Sequence, residues 1–228
     1  AGHQYNPQII NDGTGGVIIT WQDKRAEQFD IYAQRMNASG QPLWAANGIP
    51  VTTIVGDQTD PKIVTDKNGG AIIAWVDYSA GTGFSDIYAQ HIRSNGVAVW
   101  GMAEPGLPDV GISICSATNL QWNLQLVPNG TGGAVGVWED RRAGPYDDVF
   151  AQGVDGNGGL LWTEDGIPLG PVPGMQYYPK ACADGSGGVV VVWQDNRRGA
   201  DYDIYGQRVD PLGRLLWEPA GQPVCAVT

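Results

Sequence analysis

The sequence predicts an all-β fold, a propeller of four four-stranded antiparallel blades, and three observations predict it. Tryptophans recur at positions 21, 75, 138 and 193 and again at 44, 100, 162 and 217, so that of nine tryptophans only Trp122 stands outside the period. A glycine-rich turn, written DGTGG, DKNGG, NGTGG and DGSGG in the four copies, precedes each tryptophan of the first set. Short apolar runs bounded by turn residues recur throughout, and no stretch carries a helical period.

Each copy accounts for four strands in order. The first follows Pro7, Pro61, Leu124 or Pro179. The glycine-rich turn leads to the second, an apolar β-branched run of the Val189 to Trp193 kind, which reads as a strand buried on both faces. The third carries Asp30-Ile31-Tyr32, Asp86-Ile87-Tyr88, Asp148-Val149-Phe150 or Asp203-Ile204-Tyr205 and alternates apolar and polar residues. A second turn, ending at Gly40 or Gly213 for example, leads to the fourth strand around the second tryptophan. Copy two is longer because of an insertion between Trp100 and Gly111.

One sheet cannot bury its faces alone, whereas stacked copies share a continuous core, so the chain reads as one propeller domain over residues 1–228. Its repeats span approximately 1–55, 56–118, 119–173 and 174–228. Closure of the ring would rest on packing between blades one and four; the alternative is a four-blade portion of a larger propeller.

Thirteen Lys plus Arg against 24 Asp plus Glu give a net charge of −11, which argues against nucleic acid as a partner, because a polyanion needs a basic face. No apolar run approaches the ~18 residues of a membrane helix, so no membrane insertion is expected. The cysteines, Cys115, Cys182 and Cys225, show no metal or redox spacing, and no cofactor or metal is expected. Cys182 reads as a small core residue. Strands one and four of a blade lie about 14 Å apart at ~4.8 Å per spacing, beyond a disulfide's reach, so three free thiols are expected.

The motif order P-x-[apolar]-x-x-D-G, then a buried strand, then D-I-Y is distantly similar to the TolB-type propeller repeat, matched at Pro179, Asp184-Gly185, Val189 to Trp193 and Asp203-Ile204-Tyr205. With its added W-x-D-x-R element it resembles more closely the repeats of large secreted or surface proteins of bacteria. That resemblance implies an extracellular, surface or periplasmic setting and a module of a larger chain.

Among chemically competent groups, Asp23/Arg25/Asp30, Asp140/Arg141/Arg142/Asp148 and Asp195/Arg197/Arg198/Asp203 recur, and recurrence favours a structural pin over a ligand site. The glycine-rich turns offer one Asp each, or Asn129 in copy three, too few for calcium. What breaks the repeat is more telling. The linkers between copies place Gln4, Gln58, Gln121 and Gln176 near the mouth of the central channel, beside Tyr5, Trp122 and Tyr177. These seven residues are the expected ligand-binding set, suited to a carbohydrate or an extended peptide; in the alternative reading the glutamines bind linker backbone and the aromatics pack between blades.

The expected function is accordingly a binding or scaffolding module without catalytic activity. The alternative is a glycoside hydrolase-like enzyme using the two non-repeated acids near the mouth, Asp60 and Glu139, the latter at a position held elsewhere by Gln22, Val76 and Gln194.

Overall fold

The structure, a computed structural model, describes residues 2–81, 83–101, 110–199 and 201–226; most of the insertion after Trp100 lies outside them. Blade one comprises β1 (Gln4–Asn11), β2 (Val17–Asp23), β3 (Asp30–Met36) and β4 (Ile49–Thr52). Blade two comprises β5 (Gln58–Thr65), β6 (Ala71–Asp77), β7 (Asp86–Ile92) and β8 (Ile112–Cys115). Blade three comprises β9 (Gln121–Pro128), β10 (Ala134–Asp140), β11 (Asp148–Val154) and β12 (Ile167–Pro168). Blade four comprises β13 (Gln176–Ala183), β14 (Val189–Asp195), β15 (Asp203–Val209) and β16 (Gln222–Cys225). Within every blade the strands pair antiparallel in chain order, as the repeat predicts. Among the described residues no helix is long and apolar enough to cross a membrane.

Each first strand carries the same bulge. Its register against the second strand slips between Tyr5 and Gln8, between Thr59 and Lys62, and between Tyr177 and Lys180, with the corresponding slip in blade three. Asn6, Asp60, Asn123 and Tyr178 sit at this bulge with φ of 50°, 51°, 51° and 53°. Left-handed backbone is tolerated by Asn and Asp and strained for Tyr, and here it gives four successive blades the same turned-out side chain.

The W-x-D-x-R element is the pin that its recurrence predicts. Trp21, Trp75, Trp138 and Trp193 each donate their indole N–H to Asp23, Asp77, Asp140 and Asp195 two residues on. Arg25, Arg142 and Arg197 pair with that aspartate, lie over Tyr32, Phe150 and Tyr205 of the third strand at 3.7, 4.0 and 3.8 Å, and reach the carbonyls of Asn47, Asp165 and Ala220. One guanidinium thereby ties the second strand, the third strand and the connection leading to the fourth together.

The core consists of three apolar clusters, between blades one and two, two and three, and three and four. The central strands β6 and β10 are buried at all seven positions, as expected for strands covered on both faces. β2 and β14 depart from that expectation: each alternates buried with half-buried residues, in opposite phase, because one face of blade one and one face of blade four lack a neighbouring blade. Cys182 departs with them. It is exposed, as is Cys225, whereas Cys115 is buried; all three thiols are free, as the strand order requires.

Candidate functional site

Blades two, three and four frame a cavity of about 620 Å³ at the face where the linkers and the second-to-third-strand connections meet. Its floor is set by β10. In an antiparallel register Glu139 stands opposite Trp122 of β9, so the acid and the indole emerge side by side. Glu139 is 2% exposed. Its Oε1 accepts the Asn123 side-chain N–H and the backbone N–H of Tyr178 at 2.7 Å, so the same oxygen clamps blade three to blade four. Burial pushes its pKa above the ordinary glutamate range, and the hydrogen bonds from Asn123 and Tyr178 only partly offset that. A buried carboxyl that holds its proton beyond the usual range is equipped to donate it.

Asp60 enters the same cavity from the bulge of β5, where its Oδ1 accepts the Asn6 side-chain N–H at 3.0 Å. The far wall is aromatic, with Trp122, Tyr177 and Tyr178, the last two at 6.1 Å between ring centroids. Arg141 lies over the Trp122 ring at 4.8 Å, held by a two-pronged pair with Asp147 at 2.9 Å for both bonds. Among the described residues no group of three or more His, Cys, Asp or Glu is placed to hold a metal ion.

Of the residues singled out from the sequence, Trp122, Tyr177, Asp60 and Glu139 come together in this cavity. Tyr5 does not line it; it is 47% exposed and packs edge-on against Phe29. The glutamines also depart from expectation. Gln58, Gln121 and Gln176 are fully buried. Gln58 donates to the carbonyls of Ile54 and Gly56, Gln176 donates to Gly170 and accepts from the Val149 N–H, and Gln121 is turned onto its own linker carbonyls. The physical reason is that a buried linker leaves backbone carbonyls that need donors, and a primary amide supplies them. Gln4 is exposed and bonds to Gly2 and Asp23 of blade one.

Sequence reasoning missed Asp147. Its signal is legible afterwards: the residue before the repeated third-strand aspartate is Phe29, Ser85 or Tyr202 in the other copies and an acid only here.

No family model matches the chain, and no curated protein matches its sequence. Solved structures share the fold. An α-L-arabinanase from Penicillium chrysogenum, complexed with arabinobiose, matches 98% of this chain and 69% of its own at 15% identity, with a TM-score of 0.59. The α-L-arabinofuranosidase ARB93A from Fusarium graminearum matches 97% and 68% at 10% identity, with a TM-score of 0.59. A protein of unknown function from Dyadobacter fermentans matches 93% and 67% at 11% identity, with a TM-score of 0.56. At such identities the likeness carries the propeller fold. The expectation of a module without catalytic activity is corrected to this extent: two of these three similar structures are enzymes by name, and a cavity framed by blades two, three and four holds both Asp60 and Glu139.

Proposed function

We propose that the chain carries a glycoside hydrolase-like site in the cavity between blades two, three and four. The observation that supports it best is the placement of Glu139: buried, raised in pKa, and facing the same cavity as a second carboxylate, Asp60. Hydrolysis of a glycosidic bond needs two carboxyl groups in different environments, one to protonate the leaving oxygen and one to act on the anomeric carbon or on water. Glu139 is the proton donor in this reading, and Asp60 supplies the second carboxylate. Trp122 and Tyr177 offer ring faces to the apolar side of a sugar, and Arg141, fixed by Asp147, offers N–H donors to its hydroxyls.

A furanose-containing polysaccharide of the arabinan kind is the first substrate to test, because similar folds carry that activity in their names. The repeat's resemblance to bacterial surface proteins supports a secreted or periplasmic setting, where such polymers are met. The test is release of reducing ends from a panel of arabinans, xylans and glucans by the native chain, Glu139→Gln and Asp60→Asn. Each variant should lose roughly 10²–10⁴-fold in rate, the contribution of a positioned acid or base. Turnover unchanged in both variants would remove the assignment.

A further inference from the structure

The two outer faces of the array are built as blade interfaces and carry no blade. At each inner interface the second tryptophan of one blade crosses to the next: Trp44, Trp100 and Trp162 donate their indole N–H to the carbonyls of Ser94, Gly156 and Pro211 at 3.0, 3.3 and 3.1 Å. Their rings lie against Gly96, Gly158 and Gly213, where a Cβ would come within 3.0, 3.0 and 2.7 Å of the ring, so glycine is required at that turn. Val51, Ile114 and Leu169, at most 3% exposed, join the clusters that hold Trp75, Trp138 and Trp193 of the following blade.

Every one of these features recurs, unpartnered, at the two ends. Trp217 is 38% exposed and Val224 60% exposed on blade four, and Cys182 and Cys225 lie exposed where Val64 and Cys115 are buried in blade two. On blade one, Trp21 is half-buried although its three counterparts are at most 1% exposed, and nothing lies within 4 Å of a Cβ placed on Gly40. A hollow of about 600 Å³ opens beside Trp21 and Gly48. Three interfaces with the same contacts impose the same rotation at each step. If four blades completed the turn, Trp217 would meet Gly40 as Trp162 meets Gly213, and it does not. In the two similar enzyme folds, too, about a third of the chain lies beyond the part matched by these four blades.

We infer that the gap between blades four and one is the docking site for a further blade of the same W-x-D-x-R and D-I-Y repeat. Its second-turn glycine receives Trp217, and its own second tryptophan enters the turn at Gly40. This inference does not rest on the proposed activity.

The test adds a copy of residues 119–173 after Thr228 of the full chain and follows thiol labelling in the folded protein. The native chain should expose two reactive thiols, Cys182 and Cys225, and the added blade should slow both by tenfold or more while shielding Trp21 from acrylamide, read as the difference from Trp21→Phe. A second extended chain, carrying a copy of residues 1–55, repeats the measurement in case the first added blade does not fold. Thiols left equally reactive in both extended chains would overturn the inference. So would a native monomer whose two thiols are already shielded, which would mean closure of four blades, and so would protection that appears only with dimerisation in the ultracentrifuge.

Discussion

Glu139 in blade three accepts the backbone N–H of Tyr178 in blade four at 2.7 Å, and Gln22 in blade one accepts the backbone N–H of Asp60 in blade two at 3.1 Å. Gln22 and Glu139 also take the side-chain N–H of Asn6 and Asn123, so glutamine and glutamate make the same clamp at equivalent positions. The acid is not needed for the architecture, because a neutral amide oxygen accepts the same two bonds. Glu139→Gln should therefore leave the unfolding free energy within about 0.5 kcal/mol of native, the usual range for a change that breaks no structural feature. Glu139→Ala should cost about 1–3 kcal/mol by orphaning a buried donor. Urea unfolding of both variants beside the activity assay separates clamp from catalysis.

The tryptophans of the W-x-D-x-R element should divide by burial. Trp138, fully buried between two blades, should cost roughly 3–5 kcal/mol on truncation to Ala. Trp21 on the uncovered face should cost measurably less, since part of its surface already meets water. Equal losses in calorimetry would mean that blade one is covered in solution.

The contribution of Asp86 and Asp148 to stability should fall as pH rises from about 4 to 6. Asp86 and Asp148 open their third strands opposite Asp77 and Asp140, and burial, with those like charges second, raises both pKa values to about 6. A carboxyl with a raised folded pKa takes up its proton on folding, so its contribution is fully present below the unfolded value near 3.9 and is lost as pH passes through 6. The double change Asp86→Asn/Asp148→Asn should flatten that slope in urea titrations at pH 4.5 and 7.

The glycine-rich turns contain a built-in charge rule. Asp12, Asp66 and Asp184 each accept backbone N–H groups of their own turn and face Arg35, His91 and Arg208 at 2.9 Å. Copy three has Gly153 where those side chains stand, and there the turn residue is Asn129, which donates to the Val154 carbonyl at 3.1 Å. Asn129→Asp places a buried charge without a partner and loses that donor, and should destabilise by about 1–3 kcal/mol. Calcium should not rescue it in a thermal melt, because a single turn carboxylate that already serves backbone N–H groups offers too few oxygens for that ion.

The blade is legible in the residues alone. Tryptophan spacing, turn glycines and the alternation of third strands such as β15 follow from local geometry repeated four times, and a period in the residues becomes a period in the structure. That period also marks Trp122 and Glu139, because each breaks it. The rest depends on how the blades stack. Whether Gln58 or Trp122 meets the cavity depends on which linker atoms need donors once blades stack. Whether Asp60 and Glu139 share one cavity depends on the rotation between blades. The exposure of Cys182, against the burial of its equivalents Val64 and Val127, depends on there being a neighbour at all. Contacts between copies are long in sequence and identical in type, so each residue shows what it would pack against and only the assembled array shows where a partner is missing.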